Sequence, residues 1–185
     1  MAIERKTIWN VALILFVLSF FVTPLGHYCK ILANRAFARS PEVVVEADRR
    51  QIVDYDWRLK NADWDFFNFE RSKGKVVFIN FWATWKLPSE AELKGVEALY
   101  EDYGDRVDFY IITNEEREPV ERFMRRTGYA FPVTYLIVGD KAALPYEVPS
   151  TYLIDRDGRI VIEREGIADW DSKRVRGAIE GLLAE

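Results

Sequence analysis

The sequence predicts an α/β domain, a central mixed sheet flanked by helices with a β-hairpin ahead of it, preceded by one N-terminal transmembrane helix. Three observations carry this. Residues 76–81 form an apolar run, broken only by Asn80, that leads into an amphipathic helix, the pattern of a parallel strand covered on both faces. Near the C-terminus, Asp157-Gly158 joins two β-rich stretches and adds an antiparallel hairpin. Residues 8–25 carry no charge.

Residues 1–7 read as a short tail bearing Arg5 and Lys6. Residues 8–25 are read as a retained anchor, because a helix needs roughly 20 apolar residues to cross a bilayer. A cleaved signal peptide is the competing reading, since an apolar core of roughly 7–15 residues would also fit. The only small-x-small pattern nearby, Ala36-Phe37-Ala38, lies far beyond the run. Gly26-His27-Tyr28 lacks the small residue that a lipoprotein signal places ahead of its cysteine, so lipidation of Cys29 is not expected. Basic residues stand on both sides of the run, and charge therefore does not choose an orientation. Residues 26–50 read as a connector, a membrane tether with a break at Ser40-Pro41 and a short strand at 43–45.

The remaining residues, 51–185, form one domain. Residues 51–59 and 64–69 alternate as strands around the turn-forming Lys60-Asn61-Ala62-Asp63, giving the leading hairpin. After the strand at 76–81, Ser89 and Glu92 match a capping box, the serine oxygen meeting a backbone N–H while the glutamate reaches back. Leu93, Val96, Leu99 and Tyr103 give the helix its apolar stripe, with Gly104 as its stop. A strand at 107–113 follows, then a helix with Pro119 in its first turn, Val120, Phe123 and Met124 inward, and Gly128 closing it. Residues 133–138 form a further extended piece. Strands at 150–154 and 160–163 make the second hairpin, and Asp171 or Ser172 caps a last helix that buries Val175, Ile179, Leu182 and Leu183.

Composition narrows the function classes. With 49% hydrophobic residues and 15% aromatic, the chain can bury a core and is not disordered. A net charge of −4 gives no basic footprint for nucleic acid. One cysteine, Cys29, excludes an internal disulfide and a multi-cysteine metal cage. His27 and Cys29 alone make a poor pair of metal ligands, and no metal or cofactor is expected.

The stretch Phe81-Trp82-Ala83-Thr84-Trp85-Lys86-Leu87-Pro88-Ser89 resembles the active-site loop of TlpA/ResA-type thioredoxin-like proteins, W-A-T-W-C-x-P-C. Further markers are Gly74-Lys75, Gly128-Tyr129-Ala130-Phe131-Pro132-Val133, Val148-Pro149-Ser150-Thr151, Leu153-Ile154-Asp155-Arg156-Asp157-Gly158 and Gly166-Ile167-Ala168-Asp169-Trp170. The resemblance covers roughly residues 51–183. It implies a thioredoxin fold, an extracytoplasmic (periplasmic) domain on a membrane anchor, and a cis proline at Pro149 lying against the loop.

It also implies thiol–disulfide exchange, but Lys86 and Ser89 hold the two cysteine positions. In the family a thiolate is stabilised by the helix N-terminus and a second cysteine resolves the mixed disulfide. Neither an amine nor a hydroxyl can do this, so disulfide reductase and peroxidase chemistry are expected to be absent. The acidic residue that the resemblance places inside the loop is missing too, Leu87 standing between Lys86 and Pro88. No base is in sight to make a nucleophile of Lys86 or Ser89, since the one histidine, His27, lies far away in sequence. The expected role is a redox-inactive, scaffolding or chaperone-like module that binds a protein or peptide through the former substrate face: Trp82, Trp85, Lys86, Leu87, Pro88, Val148, Pro149 and Ser150. Two alternatives stay open. One is a redox-pathway component using partner cysteines or Cys29. The other is an anion site at Lys86 and the helix start.

Overall fold

A computed structural model describes residues 5–22, 24–137 and 143–185. The strands are β1 (Arg58–Lys60), β2 (Phe66–Asn68), β3 (Val77–Phe81), β4 (Asp108–Thr113), β5 (Val133–Leu136), β6 (Ser150–Ile154) and β7 (Ile160–Glu165). The helices are α1 (Arg5–Val22), α2 (Pro24–Phe37), α3 (Leu87–Tyr103), α4 (Arg117–Thr127) and α5 (Lys173–Ala184). Among the described residues the strands form one mixed sheet in the order β2-β1-β5-β4-β3-β6-β7. Strands β3, β4 and β5 run parallel, while β6 and β7 form the expected hairpin, Gly158 taking a left-handed φ of 80° at its turn. The leading hairpin is present but short: β1 and β2 pair over only three residues each, and β1 continues onto β5. Of the extended piece expected at 133–138, residue 138 lies outside the described residues, as do residues 139–142.

The crossovers β3–α3–β4 and β4–α4–β5 step the same way along the sheet. With the usual right hand, both helices then fall on one face. That face is the larger core layer, where Leu93, Val96 and Leu99 of α3 meet Phe123 of α4 and Ile179 of α5 over Phe78 and Ile111. Among the described residues no α-helix contributes to the buried cluster on the opposite face. It is covered by Ile52, Trp57, Phe69 and Leu144, from segments expected as strand or loop. This explains why residues 51–57 do not form the expected strand: they cross over the sheet as a lid, joined to it through an isolated Gln51–Arg159 bridge.

The N-terminal part departs most from expectation. The run at 8–25 is shared between α1 and the start of α2, and among the described residues no helix is long and apolar enough to cross a membrane. Residues 26–50 do not begin as an extended tether. Helix α2 packs on α3, where Arg35 Nε donates to the Ala91 carbonyl at 2.8 Å and His27 Nε2 pairs with Glu90 Oε2 at 2.8 Å. Residues 43–45 form no strand, although the Val44 N–H reaches the Val161 carbonyl at 2.8 Å.

Candidate binding face at the start of the third helix

Strand β3 ends at Phe81, and the chain then turns through residues 82–86 before α3 begins at Leu87. Four backbone N–H groups of this turn are hydrogen-bonded. Trp82 N donates to the Ile112 carbonyl at 2.9 Å, and Lys86 N to the Ala83 carbonyl at 3.2 Å. Ala83 N donates to Ser89 Oγ at 3.4 Å, and Thr84 N to Glu115 Oε2 at 2.6 Å. Glu115 also accepts from Thr84 Oγ1 at 2.7 Å, so one carboxylate clamps both polar groups of Thr84. No local pattern signals this clamp, because Glu115 lies in a charged stretch after β4 and meets Thr84 only in the folded chain.

The capping box does not form. Helix α3 starts two residues earlier than Ser89, with Lys86 as its N-cap and Pro88 in its first turn. Ser89 is buried and turned back to the Ala83 N–H. Glu92 sits lower on the helix, aligned with Val96, Leu99 and Tyr103 at helical spacing, and it points into the core. There Asn80 Nδ2 donates to Glu92 Oε1 at 2.8 Å, while Trp170 Nε1 (3.1 Å) and Ala168 N (3.3 Å) donate to Oε2. Burial pushes the Glu92 carboxyl up to about 7, against the three hydrogen bonds that favour its charged form. Asn80 Nδ2 also donates to Thr151 Oγ1 at 2.7 Å. Its Oδ1 has no partner among the described residues.

Glu90, two residues earlier on α3, is buried where α2 packs on that helix, and it is shared by His27 and by Arg126 at 3.0 Å. His27, expected near a membrane boundary, is thereby an anchor point of α2. Cys29 is a free thiol on the same helix. No cluster of three or more metal-ligating side chains occurs among the described residues.

The partner of the turn is the Val148-Pro149 peptide, which is cis, as the resemblance implied. Gly166 N donates to the Pro149 carbonyl at 2.9 Å and ties this bend to the end of β7. The Val148 carbonyl is taken by the Lys86 ammonium at 2.8 Å. The same ammonium stands 5.5 Å from the centre of the Trp85 ring, and Trp85 is 69% exposed.

Trp85, Lys86, Leu87, Pro88 and Val148 thus form one accessible face. Trp82 and Ser150, expected among its contact residues, are buried. The Trp82 indole packs on Phe123 at 5.1 Å between centroids. Ser150 pairs with Phe81 at the start of β6, and strand alternation turns it away from Thr151 and α3. Pro149 is also buried and shapes the face from below. Chemically, the face offers an aromatic surface, a cation and a backbone bend, with no sulfur.

A family model described as the AhpC/TSA family matches residues 54–162. Thiol-disulfide oxidoreductase ResA of Halalkalibacterium halodurans is 32% identical over 165 residues, covering 85% of this chain and 86% of that one. Thioredoxin-like protein YneN of Bacillus subtilis is 31% identical over 110 residues, 57% of this chain and 65% of its own length. Among solved structures, a secreted thiol-disulfide isomerase from Corynebacterium glutamicum superposes with a TM-score of 0.60 at 18% identity, covering 80% of this chain and 95% of that one. A thiol:disulfide interchange protein from Chlorobium tepidum gives 0.57 at 22% identity, covering 74% and 99%. These two likenesses establish the thioredoxin-like fold.

Proposed function

This chain belongs to the AhpC/TSA family as a ResA-like thioredoxin-fold protein, and from that premise we propose that it is a redox-inactive member that binds protein or peptide partners through its accessible face. One observation carries the reading. The turn at 82–86 is held by hydrogen bonds from four of its backbone N–H groups and abuts the cis Val148-Pro149 bend, while Lys86 and Ser89 stand where thiol exchange needs sulfur. The binding surface is Trp85, Lys86, Leu87, Pro88 and Val148, over a floor of Trp82, Pro149 and Ser150. An extended segment laid beside Pro149 meets an exposed indole and a partly exposed backbone, the features that recognise strands without covalent chemistry.

The uncharged run at residues 8–25 serves as the membrane anchor in this proposal, supported by exposed apolar side chains in its described part, with Trp9 75% and Phe16 70% exposed. The family resemblance supports an extracytoplasmic location for the domain.

Insulin reduction with dithiothreitol tests the redox part. The protein is expected to give the uncatalysed rate, and the Lys86→Cys/Ser89→Cys variant to accelerate it, because the loop geometry is retained. Clear turnover by the unaltered protein would refute the proposal. Turnover that disappears in Cys29→Ser would instead assign redox work to that thiol.

A further inference from the structure

We propose that Lys86 makes this face selective for peptides that carry a carboxylate next to the Val148-Pro149 bend. The inference rests on the peptide-binding reading above and names its substrate class.

An extended peptide bonds to an edge through backbone N–H groups given to free carbonyls and carbonyls accepting free N–H groups. At this bend the choice is narrow. Pro149 has no N–H to offer, and the Val148 carbonyl already accepts from Lys86 Nζ at 2.8 Å. A cationic donor therefore already takes one of the two lone pairs to which a neutral strand would give an N–H. Lys86 has converted an acceptor position into a cationic one.

The charge there lacks a counter-charge. An ammonium carries three donor hydrogens, and among the described residues no carboxylate pairs with Lys86. The nearby acids are committed elsewhere. Glu115 holds Thr84, Glu90 holds His27 and Arg126, and Glu92 is buried on Asn80, Ala168 and Trp170. Glu147 lies one residue before Val148, is exposed and forms no ion pair with Lys86. The remaining faces of the ammonium are the exposed Trp85 ring at 5.5 Å and solvent. A carboxylate bound here would meet the cation at a half-buried position with an aromatic wall on one side, where screening is weaker than at an open surface.

The test uses blocked heptapeptides of threonine and valine with one central aspartate, asparagine or lysine, dye-labelled and titrated by fluorescence anisotropy. The aspartate peptide is expected to bind about fivefold tighter than the asparagine one, a typical size for a favourable exposed ion pair. The preference should shrink on going from low to high salt. In Lys86→Gln the ratio should fall to about one, and in Lys86→Arg it should persist. Equal affinities for the aspartate and asparagine peptides, or a preference for the lysine peptide, would overturn the inference while leaving the peptide-binding reading intact. An aspartate preference that survives in Lys86→Gln would overturn it as well, placing the cation elsewhere. Absence of binding by all three peptides would refute the reading on which it stands.

Discussion

The buried carboxyl of Glu92 gives a prediction whose sign and size follow from its surroundings. In the folded chain burial raises it from 4.5 to about 7, while in the unfolded chain it returns to the ordinary value. Between those limits the folded state holds a proton that the unfolded state has lost. Stability is therefore fully present below pH 4.5, declines as pH rises through 7, and is flat above. The gap of about 2.5 pH units, at roughly 1.4 kcal/mol per unit, sets the full loss at about 3 kcal/mol. About 2 kcal/mol of it falls between pH 5 and 7.5.

Glu92→Gln removes the charge and keeps the shape. Its carbonyl can still accept from Trp170 and Ala168, and its amide can donate to Asn80 once the Asn80 amide rotates to present the Oδ1 that is now unpartnered. The measurement is urea unfolding of both proteins, followed by tryptophan fluorescence, at half-unit steps from pH 5 to 8. Every other titrating group is common to the two, so the difference between the curves isolates this site. The variant is expected to gain on the parent by about 2 kcal/mol across that window. Parallel curves would refute the argument, showing that the Glu92 carboxylate is compensated in the fold or reached by solvent.

Three further outcomes are expected. Glu115→Ala leaves the Thr84 N–H and hydroxyl without their acceptor and should cost about 1–3 kcal/mol; hydrogen exchange at Thr84 should quicken, and unchanged protection would contradict the clamp. Gly158→Ala places a Cβ at a φ of 80° and against the Tyr55 hydroxyl, so a loss of about 1–2 kcal/mol is expected in thermal unfolding, and a neutral effect would mean that the lid formed by residues 51–57 yields freely. His27→Ala removes one of the two partners of Glu90; the stability change should stay below about 1 kcal/mol, but amides of α2 should exchange faster, and equal protection would show that the helix is held by other contacts.

The sequence by itself determined the strands, helices and loop wherever their signals were local. The apolar run at 76–81, the Asp157-Gly158 turn, the Leu93-Val96-Leu99 stripe and the Ser172 cap each appear where they were expected, because hydrophobic period and turn chemistry act over a few residues. The motif also determined that the loop lacks its thiols. Tertiary structure decided the roles of the charged residues. Ser89 and Glu92 satisfy the spacing of a cap, yet the helix begins earlier, at Lys86-Leu87-Pro88, and Glu92 shares a stripe with Val96 and Leu99. That alignment was readable, but its partners Asn80, Ala168 and Trp170 come from three separate parts of the chain. Glu90 is covered only because α2 folds back, and Glu115 matters only because β4 ends beside the turn. The Lys86 ammonium meets the Val148 carbonyl across 62 residues of sequence. Pairings at such distances depend on how strands are ordered in the sheet, and no local period records that order.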